Sequence, residues 1–378
     1  MAIRQLLFLT GTRADYGKLK PLMRAVEESP AFDCRIFVTG MHTLKKYGYT
    51  AIEVNKDGFK SIFTYMNQHH QQPMEETLAS TITGLSRFIH ENRPDLLVVH
   101  GDRVEALAGA IVGSINNIPV AHIEGGEKSG TIDEHIRHAV TKLSHIHFVS
   151  NDEARRRLIQ MGEDERNVYD IGSPDIDVML NERALPTIDA ARKRYDIPFT
   201  RYGILLYHPV TTDLGNLSAY VRALVDAVRE SDLNFIVIYP NNDEGSAIIQ
   251  AAYEACLGDR RFRVFPSIKF EYFLTLLKHA EVIVGNSSAG IREAPVYGVP
   301  AVNIGNRQAG RAESDCVVNV EHDVGQIAAA IRGADCGGHK TDALTTSFGR
   351  GESVSGFMSA IASPAFWRLE IQKAFVDI

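Results

Sequence analysis

Twice along its length the chain alternates short runs of Val, Ile and Leu with longer amphipathic stretches, and few folds accommodate that rhythm. Runs that are apolar on both faces belong inside a parallel sheet covered by helices, as in doubly wound α/β domains. The pattern predicts strands at Gln5–Thr10, Cys34–Thr39, Asp95–His100, Ile118–Ile123, His145–Val149 and Val168–Ile171. Helices are predicted near Lys18–Glu28, Met74–Glu91, Val104–Ile115, Asp133–Leu143 and Asp152–Met161. After a charged, loop-like passage over Asn181–Pro198, strands resume at Tyr202–Tyr207, Asn234–Tyr239, Phe262–Phe265, Glu281–Val284 and Ala301–Ile304. At roughly 150 residues per domain, 378 residues hold two such halves. Gly333–Gly351 reads as an irregular loop. Pro364–Ile378 reads as an amphipathic helix, with Trp367, Ile371 and Phe375 on the face that packs back on the first half.

Charge and cysteine usage remove several function classes. With 40 basic against 47 acidic residues the formal charge is −7, which argues against nucleic-acid binding through a broad basic surface. A small anion in a locally basic cleft stays compatible. Cys34, Cys256, Cys316 and Cys336 form no CxxC pair, which fits a reducing compartment better than a zinc or redox centre. The opening MAIRQLLFLTGTRAD has too short an apolar run for a signal segment. No stretch reaches the ~18 apolar residues of a membrane span. The cytoplasm is the expected location.

Ligands of open parallel sheets collect beyond the strand carboxyl ends, so motifs at those ends carry the functional reading. The first strand runs into Gly11-Thr12-Arg13-Ala14-Asp15-Tyr16-Gly17-Lys18, a tight loop opening a helix, where N–H groups, Arg13 and Lys18 could meet an anion. It matches neither GxGxxG nor a P-loop, and an ordinary capped turn is the plain alternative. Asp102 and Glu124 leave neighbouring strand ends. Asp133 opens the next predicted helix, where an N-cap is an equally good explanation. His135 and His138 have a spacing open to a metal, but HExxH is absent and no metal is expected. In the second half His208 stands at a strand lip. Ser287 and Ser288 follow another strand as a phosphate cradle before a helix whose Glu293 could hold a ribose, and Arg307 and Arg311 suit phosphate oxygens.

Taken in order, GTRADYGKLKP, TGMH, VVHGDR, HIEGGEKSGTIDE with IRHAVTKLSHIH, HPVTT, YPNND, FEYF, GNSSAGIREAP and GNRQAGR resemble the hydrolysing UDP-N-acetylglucosamine 2-epimerases of bacterial sialic acid synthesis, and the epimerase half of the animal bifunctional enzyme. The resemblance covers nearly the whole chain. Non-hydrolysing relatives carry GTRPE where Gly11-Thr12-Arg13-Ala14-Asp15 stands here. It implies a GT-B architecture: two Rossmann-like domains, residues 1–180 completed by a terminal helix over 359–378, and residues 181–358, with the active site in the cleft between them. It implies catalytic roles for Asp102, Glu124, Asp133 and His208. Substrate contacts fall on Arg13, Asp15, Lys18, His42, Arg103, Asn241, Phe270, Ser287, Ser288, Gly290, Glu293, Arg307 and Arg311, with Phe270 near the base. No cofactor, nucleic acid or membrane partner is implied, and relatives form homodimers or homotetramers.

The chemistry explains the residue types. The C2 hydrogen of an N-acetylhexosamine becomes acidic only as the bond from C1 to UDP breaks, and a carboxylate can then take it to give a 2-acetamidoglucal. The departing diphosphate needs cations and N–H donors; Arg13, His208 and Arg311 are candidates. Hydration of the glycal then gives N-acetylmannosamine. The expected allocation gives Asp102 and Glu124 the acid and base duties, with Asp133 positioning sugar or water. UDP-2,4-diacetamido-2,4,6-trideoxyglucose, on the route to legionaminic acid, is the alternative substrate. A GT-B glycosyltransferase and a non-catalytic nucleotide-sugar sensor are the alternatives outside the family.

Overall fold

The computed structural model describes residues 3–311, 314–334, 347–374 and 376–377. They fall into two compact units: 1–127, 132–180 and 347–378 form the first, and 128–131 with 181–346 the second. The first unit runs β1 (Arg4–Thr10), α1 (Arg13–Glu28), β2 (Phe32–Val38), α2 (Ala51–Lys56), β3 (Ser61–Thr64), α3 (Met74–Glu91), β4 (Leu96–His100) and α4 (Val104–Ile115). It continues with β5 (Val120–Ile123), α5 (Ile132–Leu143), β6 (Ile146–Val149), α6 (Asp152–Gln160), β7 (Val168–Asp170) and α7 (Pro174–Leu180). The second unit runs α8 (Ile188–Arg194), β8 (Tyr202–Leu206), α9 (Leu217–Glu230), β9 (Asn234–Ile238), α10 (Ser246–Glu254), β10 (Phe262–Phe265) and α11 (Phe270–Lys278). It closes with β11 (Val282–Gly285), β12 (Ala301–Ile304), β13 (Val317–Val320) and α12 (Val324–Arg332), and α13 (Ser353–Ala362) returns to the first unit.

Both sheets are parallel, in the orders β3-β2-β1-β4-β5-β6-β7 and β10-β9-β8-β11-β12-β13. The strand order therefore reverses between β1 and β4, and again between β8 and β11. Loops leaving those strands diverge and open a crevice at the carboxyl ends. The Gly11 and Gly101 loops stand there in the first unit, and the His208 and Asn286 loops in the second.

Alternation along β1 divides the first core. Leu6 and Phe8 pack with Val98, Ile123, Phe148 and Phe357, while Leu7 and Leu9 face Val99, Val120 and Ile136 across the sheet. Each such side chain contributes about 1.5–3 kcal/mol by leaving water. In the second core Leu205, Val237, Val284 and Val302 pack with Leu224 and Ile327. Gly285 ends β11 at φ +136°, and a Cβ there would lie within 3.0 Å of the Leu206 carbonyl oxygen. Only glycine lets the two central strands run this close.

The structure departs from the sequence reading where burial is incomplete. The unpredicted β3 and β13 are edge strands, with Phe63 and Val318 exposed, so neither shows a continuous apolar run. Within the passage read as a loop lies α8, capped by Thr187 Oγ1 accepting from Ala190 N at 3.2 Å; it buries only Ala191 and so lacks an apolar stripe. The terminal helix predicted over Pro364–Ile378 is absent among the described residues. A single 3₁₀ turn, Phe366–Arg368, follows α13, and Trp367 Nε1 donates back to Ile361 O at 2.7 Å. The tail still packs on the first unit: Lys373 Nζ donates to the carbonyls of Thr141, Lys142 and Ser144 at 3.1, 3.0 and 2.7 Å. Phe375 and most of the predicted Gly333–Gly351 loop lie outside the described residues. Cys34 and Cys256 are buried free thiols, whereas Cys316 is disulfide-bonded, which the scatter of cysteines does not announce. No described helix is long and apolar enough to cross a membrane.

Candidate active site

The loop after β1 is organised by its own carboxylate. Thr12 caps α1 in a capping box, and Asp15 accepts from Thr10 Oγ1 at 2.6 Å, Gly11 N at 2.9 Å and Thr12 N at 3.0 Å. N–H groups read from sequence as an anion cradle are therefore occupied by Asp15. Arg13 is committed to Glu53 through bonds of 2.8 and 2.6 Å. His42 is fully buried between Thr10 Oγ1 at 3.1 Å and Thr50 Oγ1 at 2.6 Å, and burial lowers its pKa to about 4, so it is neutral. Arg13, Asp15 and His42 thus hold the loop in shape. Lys18 points inward, with Nζ 2.9 Å from Asp175 Oδ2 and 3.6 Å from Glu124 Oε2.

The two strand-end carboxylates are held differently. Asp102, after β4, is paired with the buried Arg137 of α5, whose other nitrogen donates to Glu127 O at 3.1 Å. Glu124, after β5, is buried and adopts φ +64°, a left-handed conformation that disfavours side chains larger than glycine and recurs at functional sites. Its carboxylate accepts from Ser173 Oγ and lies 3.2 Å from His100 Nε2. Beneath both, His122 bridges Gly101 O at 2.9 Å and Thr141 Oγ1 at 3.1 Å. Burial drives its pKa down to about 3. Asp133 sits in the first turn of α5, one residue inside the helix, and so is not its N-cap. Arg103 Nε lies 3.8 Å from Glu105 Oε2.

In the second unit an amide joins the two loops at the strand reversal. His208 N donates to Asn286 Oδ1 at 2.7 Å, and Asn286 Nδ2 donates to His208 O at 2.9 Å. Asn241 N donates to His208 Nδ1 at 3.3 Å, which leaves the ring proton on Nε2. The Asn286 carbonyl accepts from Gln308 Nε2 at 2.8 Å and Arg307 Nη1 at 3.3 Å. Ser287 caps a 3₁₀ turn, Ser288–Gly290, through Ala289 N at 3.3 Å. The α-helix read from GNSSAGIREAP is thereby corrected to this turn, Glu293 beyond it, and a second 3₁₀ turn, Pro295–Tyr297; Ala294 and Val299 N–H groups return to earlier carbonyls and break the ladder. The cradle consists of local N–H groups without a long helix dipole. Glu293 is buried, as is Phe270 at the start of α11, and Arg311 Nε donates to Lys128 O at 3.0 Å.

Reasoning from sequence overlooked Arg137, His100, Ser173, Asp175 and Asn286. Arg137 and His100 lie inside quoted motifs. Ser173 and Asp175 follow the short β7, where only sheet order, not spacing, brings them beside Lys18. Among the described residues no group of three or more His, Cys, Asp or Glu side chains could hold a metal ion, and His138 Nε2 instead lies 3.5 Å from Glu134 Oε1.

Two parallel sheets, each with polar loops at its strand reversal, define an α/β protein of two Rossmann-like domains. Solved structures share this fold. A UDP-N-acetylglucosamine 2-epimerase from Methanocaldococcus jannaschii, in complex with UDP-GlcNAc and UDP, aligns with a TM-score of 0.78 at 20% identity over 95% of this chain and 99% of that one. An S. aureus MnaA–UDP structure aligns at 0.76 and 19% over 100% of both chains. The sequence family described as UDP-N-acetylglucosamine 2-epimerase matches residues 24–362, and the chain belongs to that family. It is 44% identical over 379 residues, covering 100% of both chains, to the UDP-N-acetylglucosamine 2-epimerase of Neisseria meningitidis serogroup B. It is 34% identical over 337 residues, 88% of this chain and 89% of the relative, to a UDP-N,N'-diacetylbacillosamine 2-epimerase (hydrolyzing) of Legionella pneumophila.

Proposed function

We propose that the chain is a hydrolysing 2-epimerase that converts UDP-N-acetylglucosamine and water to N-acetylmannosamine and UDP. The observation that carries this reading is Glu124: a carboxylate buried at a strand end, in a left-handed backbone conformation, touched by Lys18, His100 and Ser173. Neither a nucleotide-binding loop nor a fold core needs such an arrangement, whereas proton transfer at carbon does. Asp102 on Arg137 is the second carboxylate, and Asp133 in the first turn of α5 the third.

In this reading, the C1–O bond to the diphosphate breaks as a carboxylate accepts the C2 proton, leaving 2-acetamidoglucal and UDP. Glu124 and Asp102 share the base and acid duties. Asp133 orients sugar or water. His208 can donate from Nε2 to the departing phosphate oxygen, with Arg307, Arg311 and the Ser287–Ser288 turn binding the diphosphate. Water then adds its hydroxyl to C1, and a carboxyl group returns a proton to C2 from the opposite face. Electrons balance without an external oxidant or reductant. The Gly11–Asp15 loop, GTRAD where non-hydrolysing relatives carry GTRPE, and the hydrolysing Legionella relative support release of the free sugar.

The Neisseria relative favours UDP-N-acetylglucosamine, and the Legionella relative makes UDP-N,N'-diacetylbacillosamine the second candidate. Incubation of each UDP-sugar in heavy water without an acceptor separates the readings. Equal amounts of UDP and a C2-deuterated free sugar are expected. A product still attached to UDP, or a free sugar without deuterium at C2, would overturn the hydrolysing mechanism.

A further inference from the structure

Lys18 is buried between two carboxylates, Asp175 at 2.9 Å and Glu124 at 3.6 Å, although one counter-ion neutralises a lysine. Asp175, fully buried, takes the closer place. Two carboxylates sharing one ammonium compete for it in a water-poor setting, and the one farther from it has the greater appetite for a proton. The ionisable groups that face Glu124 include Lys18 on α1, His100 on β4 and, through Lys18, Asp175 on α7. Ser173, from the loop before α7, opposes protonation by donating to Glu124 Oε1. These partners are held in place by the returning chain. Ser173 N donates to Phe348 O at 2.7 Å, and Asp177 of α7 accepts from Ser353 N, Ser353 Oγ and Val354 N at 3.1, 2.6 and 3.0 Å.

We propose that Asp175 and Ser173 are positioning residues for Glu124 that act in opposite senses: Asp175 draws Lys18 away and keeps Glu124 basic, while Ser173 stabilises the ionised carboxylate. The functional consequence rests on the reading of Glu124 as an acid/base group. The electrostatic arrangement itself can be read without substrate.

The decisive experiment titrates the side-chain carboxyl carbon of Glu124 by ¹³C NMR in ligand-free protein labelled at glutamate, assigned with Glu124→Gln, alongside pH profiles of kcat and KM. In Asp175→Asn, Lys18 loses its nearer carboxylate and a like charge is gone, so the Glu124 midpoint falls by about one pH unit or more. In Ser173→Ala a hydrogen bond to the ionised form is lost and the midpoint rises. The acid limb of kcat/KM follows in the same two directions, with KM changing less than kcat. A merely structural role lowers turnover in both variants without opposed shifts. An unmoved midpoint in both, or movement in one shared direction, overturns the proposal. Should Asp175→Asn fail to fold, Ser173→Ala decides alone: a rise supports the proposal, and no change or a fall overturns it. Opposed midpoints in a protein that turns over neither UDP-sugar would support the positioning and sink the proposed function instead.

Discussion

Two sheets of the same winding treat their polar interiors in opposite ways. Buried charged side chains of the first unit include Asp15, Lys18, Glu105, Glu124, Glu127, Arg137, Glu163 and Asp175, whereas those described in the second are Arg292 and Glu293, among the amides of Asn242, Asn286, Asn303 and Gln308 and the hydroxyls of Ser231, Ser246 and Thr275. Burying charge is expensive unless each group is paired, and paired groups respond strongly to the loss of a partner. Neutral amides hold geometry without that sensitivity. The difference fits the proposed roles, proton transfer by carboxylates of the first unit and diphosphate binding by N–H donors and arginines of the second.

The sharpest way to break this comparison is to neutralise the carboxylates. Glu124→Gln and Asp102→Asn should each reduce kcat by about 10²–10⁴-fold, the range of a general acid or base, with UDP affinity changed less than threefold. Steady-state turnover and calorimetric UDP titration measure the two quantities. Near-normal turnover in either variant would remove that residue from the proton chemistry.

In the second unit the largest expected effect is on binding and folding. Gly285→Ala forces a Cβ toward the Leu206 carbonyl at φ +136° and should destabilise by at least about 2 kcal/mol. Denaturant unfolding followed in that unit reads it. Asn286→Ala removes the reciprocal bonds to His208, worth about 1–3 kcal/mol when buried groups are left unpaired. It should raise KM more than it lowers kcat, the reverse of Glu124→Gln.

Acid sharpens the contrast through stability. His42 and His122 are held neutral by burial, with pKa values lowered to about 4 and about 3. Below the unfolded value of about 6.5 the unfolded chain therefore binds more protons, and stability falls as pH drops through the window toward 4 and 3. Glu163, lowered to about 2 by His147, Lys142 and Lys373 against an opposing burial effect, adds a loss below about 4.5. All three belong to the first unit, so it should unfold first on acidification. A unit-resolved hydrogen-exchange series from pH 7 to 4 would show it.

Central strands and loops were legible because their causes are local. A buried parallel strand must be apolar throughout, and a loop at its carboxyl end needs small or polar residues, so β1, β4, β8 and β11 with their motifs can be read directly. Edge strands β3 and β13 are only partly covered and leave no such signature. Which cation faces which carboxylate was not legible. Lys18 and Arg13 read from sequence as anion contacts, and nothing in their spacing announces that α7 brings Asp175 to Lys18 or that Glu53 of α2 pairs with Arg13. Pairing of that kind depends on sheet order, which spacing does not encode.

The smallest expected effects come from the two loop caps, and they should separate by kind. Thr12 caps a helix of sixteen residues, so Thr12→Ala removes a donor's partner from the α1 terminus and should cost about 1 kcal/mol of stability. Asp15 retains its bonds to Gly11 N and Thr12 N, so the loop keeps its shape and UDP affinity should hold. Ser287 caps a turn of only three residues through a 3.3 Å bond, and Ser287→Ala should barely move the unfolding midpoint. If the turn holds the diphosphate, that variant should instead weaken UDP binding by about three- to tenfold, the worth of one ordinary hydrogen bond of about 1 kcal/mol. Equal stability losses in the two variants with unchanged UDP affinity would mean that the Ser287 turn, like the Thr12 loop, serves the fold alone.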